Sequence, residues 1–229
     1  MILYVNGDSH SAAAEAVNSF CFSNDDPQYS FLGRIPHPDN LRVSYGNQLA
    51  DQLGYELHCD AESASSNDRI IRTTRKYLES NRPDLIIIGW STWEREEWYH
   101  DGIYWQISAG GVGYDWPNSV KQHYHDWIVN IDYHKKQQQE HDKIWQLHLD
   151  LADIPHLFFN SYLAFEYTDH RDWGANYLAP YDENQTYYHW LSNQGFKTVN
   201  PKSYHYGPEA HTAWTNWLTK YINESIMLA

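Results

Sequence analysis

The chain predicts an α/β fold with a central parallel sheet, and three observations carry that expectation. Short apolar runs alternate with segments of helical periodicity from the N-terminus to the last residues. One run, Asp84-Leu85-Ile86-Ile87-Ile88-Gly89, is unbroken, as a strand buried on both faces requires. Helix punctuation falls between the runs: Gly54 and Gly195 follow helical patterns, and Pro208 sits in the first turn of another.

Taken in order, residues 2–6 form an apolar strand, and Ser11-Ala12-Ala13-Ala14-Glu15-Ala16 places a small-residue helix over 9–18. A loop rich in Asn, Asp and Pro covers about 23–40. Tyr45, Leu49 and Leu53 recur every four residues and give a helix closed by Gly54, followed by a strand at 55–59. After a polar loop at 61–67, Ile70, Ile71, Thr74, Tyr77 and Leu78 form one helical face that stops before Pro83. The run at 84–89 is the next strand. From 90 to 117 periodicity fails, and this aromatic, glycine-bearing stretch reads as an insertion, about 93–117, lying over the C-terminal edge of the sheet. A long helix is expected over 119–153, broken near Asn130, then a strand at 154–160 and a short helix at 187–193. The final helix carries Ala213, Trp214, Trp217, Leu218, Tyr221 and Ile222 toward the core. Right-handed crossovers place such helices on both faces of the sheet, in one domain spanning 1–229.

The composition narrows the partners. A formal charge of -14 on 229 residues argues against nucleic acid or an anionic membrane, which clustered Lys and Arg bind. A neutral partner or a small molecule is expected instead; oligomeric state is not legible. The 11 Trp and 19 Tyr lie mostly after residue 90 and suit either a stacking surface for a sugar or an aromatic core or interface. Cys21 and Cys59 have no signature spacing, which leaves a single disulfide open. The N-terminus lacks the basic start of a signal peptide, and no stretch approaches the ~20 apolar residues of a membrane span, so a soluble protein of the cytoplasm or of an assembled particle is expected.

No cofactor or metal is expected. Gly110-Gly111-Val112-Gly113 follows no clear strand and has no nearby Lys, so a phosphate cradle fails on context. His134, His141 and His148 share a helix face but stand too far apart for one ion and read as a polar stripe, and His123, His125 and Asp126 lack a further partner.

In a parallel sheet the chemistry gathers at the carboxyl ends of the strands. The first such loop holds Gly7-Asp8-Ser9-His10, with Ser9 at a strand-to-helix corner; a serine there is either an exposed nucleophile or a helix cap. The next holds Ala64-Ser65-Ser66-Asn67-Asp68-Arg69-Ile70, and the third Gly89-Trp90-Ser91-Thr92. His205-Tyr206-Gly207-Pro208-Glu209-Ala210-His211 precedes and opens the last helix.

Through these blocks the chain resembles the SGNH (GDSL-like) hydrolases, and the resemblance implies a flavodoxin-like three-layer sandwich. It implies Ser9 as nucleophile and His205 as base. The amides of Ser9 and Ala64 would face the oxyanion, with Asn67 or Ser91 supplying a side-chain donor. Four departures stand out: Ala64 replaces the central Gly, Ser91 the oxyanion Asn, Thr92 the Asp after it, and Tyr206 the Pro after the histidine. Lys202 and Ser203 cannot act as the orienting Asp. Asp8, Glu209 or His211 are candidates for support, with His211 also a competing base. Tyr104, Trp105, Tyr114 and Trp116 of the insertion are the expected substrate-binding residues. The reading that follows is a serine esterase with a Ser-His dyad or incomplete triad, acting on a small-molecule or glycan O-acyl ester; the alternative is a weak or inactive binding or structural module on the same fold that recognises a glycan or protein partner.

Overall fold

The computed structural model describes residues 1–21, 35–107, 117–126, 133–166 and 171–226. The strands are β1 (Ile2–Gly7), β2 (Glu56–Cys59), β3 (Leu85–Trp90), β4 (Glu96–His100), β5 (Ile103–Ile107) and β6 (His156–Asn160). The helices are α1 (Pro38–Arg42), α2 (Tyr45–Leu53), α3 (Asn67–Leu78), α4 (Asn118–Tyr124), α5 (Tyr133–Asp150), α6 (Tyr187–Asn193) and α7 (Pro208–Tyr221). Four strands make one parallel sheet in the order β2-β1-β3-β6.

Period-two alternation divides the core between the two faces of that sheet. Leu3, Val5, Leu85, Ile87, Leu157 and Phe159 face Tyr45 and Leu49 of α2, Leu191 of α6, and Trp214 and Leu218 of α7. Tyr4, Ile86, Ile88 and Phe158 face Ile70 and Ile71 of α3, and Ile144 and Leu147 of α5. The expected three-layer α/β sandwich is the observed one. Because the chain passes from β2 across β1 to β3, the strand order reverses at β1, and the crevice between the ends of β1 and β3 is where such a sheet accommodates a ligand.

Two glycines open that crevice. Gly7 and Gly89 are register partners at the carboxyl ends of β1 and β3. A Cβ on Gly89 would lie 2.6 Å from Ser11 Oγ and 2.9 Å from Phe159 Cζ, and one on Gly7 would also run into Ser11. Ser11 Oγ, held by the Tyr45 hydroxyl at 2.7 Å, fills the gap that the missing side chains leave. Gly89→Ala is therefore expected to destabilise the fold by about 1–3 kcal/mol through overpacking, read from the denaturant midpoint.

The segment after β1 is not the expected helix. Residues 8–17 run through tight turns, in which Ala14 N donates to Ser9 O and Ala12 N to Asp8 O, both at 2.9 Å. Ala13 and Glu15 take left-handed conformations, with φ of 52° and 63°. Each costs roughly 1–2 kcal/mol in a residue bearing a Cβ, so tertiary contacts override alanine's helix propensity here. Ala12, Ala13 and Ala14 are almost completely buried, and smallness is what the site uses.

The insertion also differs from expectation. Its described part is a hairpin of β4 and β5 turning at Asp101 and Gly102, whose φ values of 49° and 81° match a tight two-residue turn. The hairpin packs on α3, while Glu94 and Arg95 just before it line the cleft at the strand ends. Arg72 of α3 donates two 2.7 Å bonds to Glu97 and lies 3.9 Å over the Tyr104 ring, while Gln106 accepts from Ser66 N at 2.9 Å. The long helix is present as α4 and α5, and the expected break near Asn130 lies outside the described residues. Cys21 and Cys59 are both free.

Two buried histidines make the fold acid-sensitive. Burial lowers His211 to about 3, with repulsion from His10 and His205 adding to it, and His211 Nδ1 lies 3.2 Å from Tyr45 N as its acceptor. Burial likewise lowers His156 to about 4, and its ring lies between Ile154 O at 2.7 Å and His148 Nδ1 at 2.8 Å. Both values lie below the unfolded one near 6.5, so the unfolded chain binds more protons in the interval between, and stability falls as pH drops below about 6.5. The unfolding free energy, read from urea titrations, is expected to fall between neutral pH and pH ~4 by on the order of a few kcal/mol, with a shallower slope in His211→Leu.

Candidate active site

Ser9 lies two residues beyond β1 and opens into a cleft of ≈ 520 Å³ whose walls include Asp8, His10, Ala64, Arg95, Tyr162, Tyr204 and His205. That volume suits a small ligand. Ser9 is 6% exposed, reachable from the cleft, and its hydroxyl makes no hydrogen bond among the described residues. Nucleophile-to-base bonds commonly tighten only when substrate binds.

His205 enters the cleft from the segment before α7. Its Nδ1 lies 2.7 Å from Glu15 Oε2, and because a carboxylate only accepts, Nδ1 carries the proton and Nε2 is left as the basic nitrogen. Ser203 fixes the pair, donating from Oγ to Glu15 Oε2 at 2.6 Å and accepting from His205 N at 3.0 Å. Burial would raise the Glu15 carboxyl, but the bonds from Ser203 and His205 bring it below the ordinary glutamate value. Burial lowers His205 first, and His10 repulsion adds to this, while Glu15 pulls partly the other way. The left-handed turn at Glu15 is thus the local strain that carries a carboxylate from the β1 loop to the histidine of the C-terminal segment.

Glu209, considered above for this role, is exposed in the first turn of α7, and the carboxylate on His205 is Glu15 instead. His211 packs in the core, where it accepts from Tyr45 N; it is not among the residues lining the cleft.

The oxyanion candidates separate. Among the described residues, neither Ser9 N nor Ala64 N donates to another group. Ala64 has φ 62°, a conformation that glycine adopts freely and that explains the preference for Gly at this place. Asn67 is engaged elsewhere: it accepts from Ser91 N at 2.9 Å and donates to Ser91 O at 3.3 Å, tying the start of α3 to the end of β3. The rest of that block is also structural. Ser66 caps α3, and Arg69 pairs with Glu62 at 2.5 Å and reaches Asp60 O at 2.8 Å. Ser91 Oγ accepts from Arg95 Nη1 at 2.8 Å.

Asp8 holds two donors beside Ser9. Its Oδ1 lies 3.1 Å from His10 Nδ1 and its Oδ2 accepts from Arg95 Nη1 at 3.2 Å. Burial opposes its ionisation, but His10 and Arg95 together hold the carboxyl well below the usual carboxylate range. The His10 ring meets the His205 ring edge-on, with centroids 5.4 Å apart.

Tyr162 and Tyr204 form the aromatic wall of this cleft, in edge contact at 5.5 Å. Of the expected aromatic set, Tyr104 instead lines a larger groove of ≈ 760 Å³ along α3 and α5. Ion pairs neutralise Arg72, Arg75 and Lys143 there, and Ser9 and His205 lie in the smaller cleft. Trp105 sits in β5 opposite Trp98, and Tyr114 and Trp116 lie outside the described residues.

Among the described residues no cluster of His, Cys, Asp and Glu could hold a metal ion. His141 and His148 bond to Tyr181 and His156, as packed polar groups do. No described helix is long and apolar enough to cross a membrane.

The parallel order β2-β1-β3-β6, with Ser9 two residues after β1 and His205 three residues before α7, is the flavodoxin-like α/β arrangement that the SGNH resemblance implies. No protein-family model and no curated protein matches the chain. Among solved structures, it is similar to an acetyl xylan esterase from Butyrivibrio proteoclasticus (13% identity, TM-score 0.44, 97% of this chain and 63% of that one). A putative lipolytic protein of the G-D-S-L family from Desulfitobacterium hafniense gives 8% identity and TM-score 0.48 over 96% of this chain and 98% of that one. The esterase EstA from Pseudoalteromonas sp. gives 10% identity and TM-score 0.48 over 97% of each chain. The chain thus spans less than two thirds of the acetyl xylan esterase. At these identities, function rests on the chain's own residues.

Sequence reading missed Glu15, His10, Arg95, Tyr162 and Tyr204. Glu15 carried one signal, a single carboxylate inside a run of alanines.

Proposed function

We propose that the protein is a serine esterase acting on a small O-acyl ester, with Ser9, His205 and Glu15 as its triad. The observation that supports this best is the 2.7 Å contact of Glu15 with His205 Nδ1 in the cleft that also holds Ser9. Ser9 Oγ attacks the ester carbonyl carbon as His205 Nε2 takes its proton, and the Ser9 and Ala64 amides face the resulting oxyanion. Collapse breaks the bond to the alkoxy oxygen, which leaves as the alcohol with the proton from His205. Water, deprotonated by the same nitrogen, then attacks the acyl-serine and releases the acid. Glu15 keeps the imidazole in the right tautomer and stabilises its cation. The Tyr162–Tyr204 wall suits the apolar face of a sugar ring as the alcohol part.

A binding module is favoured by one observation, that Asn67 is engaged with Ser91 and leaves the oxyanion without that donor. Turnover of p-nitrophenyl acetate decides between the two. The esterase reading expects hydrolysis by the wild type that falls by about 10²–10⁴ in His205→Asn. No hydrolysis above buffer, or equal rates in the two proteins, would sink it.

A further inference from the structure

From the way Arg95 is held, we infer that its guanidinium is the third oxyanion donor of the site, a catalytic residue in the place a neutral amide would take; this rests on the esterase reading. Arg95 follows the turn after β3, where its N donates to Thr92 O at 3.3 Å, and its side chain folds back onto the strand ends. One nitrogen, Nη1, is fixed by Asp8 Oδ2 at 3.2 Å and Ser91 Oγ at 2.8 Å, and lies 3.5 Å from Ser65 O. Asp8 and Ser65 are the immediate neighbours of Ser9 and Ala64, the two residues whose amides are free to face an oxyanion. The guanidinium is thus anchored one residue away from each amide donor, and it lines the same cleft.

An arginine has five N–H donors in a rigid fork. The bonds among the described residues engage Nη1 only, which leaves Nε and Nη2, and the side chain is 22% exposed. Asp8, 1% exposed, holds the charge in position before any substrate arrives, and such preorganisation is what makes a donor effective as charge develops on the carbonyl oxygen. The arrangement also accounts for Ser91: its hydroxyl is too short to replace an asparagine amide, but it receives the arginine that does. Glu94 is the other charged side chain that this loop brings to the cleft.

The test is steady-state hydrolysis of p-nitrophenyl acetate by the full chain, with circular dichroism to establish folding. In Arg95→Ala, kcat is expected to fall about 10²–10³-fold with little change in KM, and millimolar guanidinium is expected to restore part of it. Arg95→Gln keeps a donor for Asp8 and Ser91 without the charge and serves if the alanine variant does not fold; its kcat is expected to fall about 10²-fold. A folded variant with kcat within threefold of the wild type overturns the inference, as does an alanine variant whose loss guanidinium leaves unchanged, the mark of a role through Asp8 alone. A wild type without hydrolysis overturns the esterase reading and this inference with it.

Discussion

Ser9→Ala is expected to lower kcat for a short-chain ester by about 10⁴-fold or more while the protein stays as stable as the wild type. The two halves of that result have separate causes. In the proposed mechanism the hydroxyl oxygen is the attacking atom, so nothing replaces it once removed. It makes no hydrogen bond among the described residues, so alanine leaves no buried partner unsatisfied. Substitutions free of such penalties usually stay within about 0.5 kcal/mol. Kinetics with p-nitrophenyl acetate and a thermal melt on the same samples check both. Residual activity within tenfold of the wild type would remove Ser9 from the mechanism.

Glu15→Gln is the more revealing substitution. Glutamine can still accept from His205 Nδ1, but it carries no charge to stabilise the imidazolium, and kcat is expected to fall about 10²–10⁴-fold at unchanged KM. The pH profile moves in a defined direction. Burial and His10 already place His205 below its ordinary value, so the acid limb of kcat/KM in the wild type is expected below pH ~6.5. Glu15 is the nearest group raising it, and its neutralisation should move the limb to still lower pH. A profile that stays in place, with kcat unchanged, would mean that Glu15 only braces the loop.

The strands and most helices are legible because their signals are local. β3 is an unbroken apolar run, α2 ends at a left-handed Gly54, and α7 begins at Pro208. The helix over 9–18 fails because its alanines are chosen for size, and the turns at Ala13 and Glu15 are imposed by distant contacts. The hairpin did carry a local signal, Asp101-Gly102 between aromatic strands, obscured by the glycines that follow. The cleft positions of Ser9 and His205 are legible because a strand-end motif marks the first and the segment leading to Pro208 of α7 marks the second. Glu15 and Arg95 are not, since Glu15 lies 190 positions from His205 and Arg95 87 from Asp8, pairings that only the fold creates. Asn67 shows the opposite failure, a motif residue present in sequence whose amide is bound to Ser91.

Whether Ser9 is an activated nucleophile in a cleft with His205 and Glu15 is read by intact-mass analysis after treatment with a fluorophosphonate between about pH 6 and 9, where a neutral imidazole base is available. One covalent adduct is expected on the wild type, mapped to Ser9, lost in Ser9→Ala and formed far more slowly in Glu15→Gln. An unmodified wild type across that range, or an adduct that persists in Ser9→Ala, would contradict it.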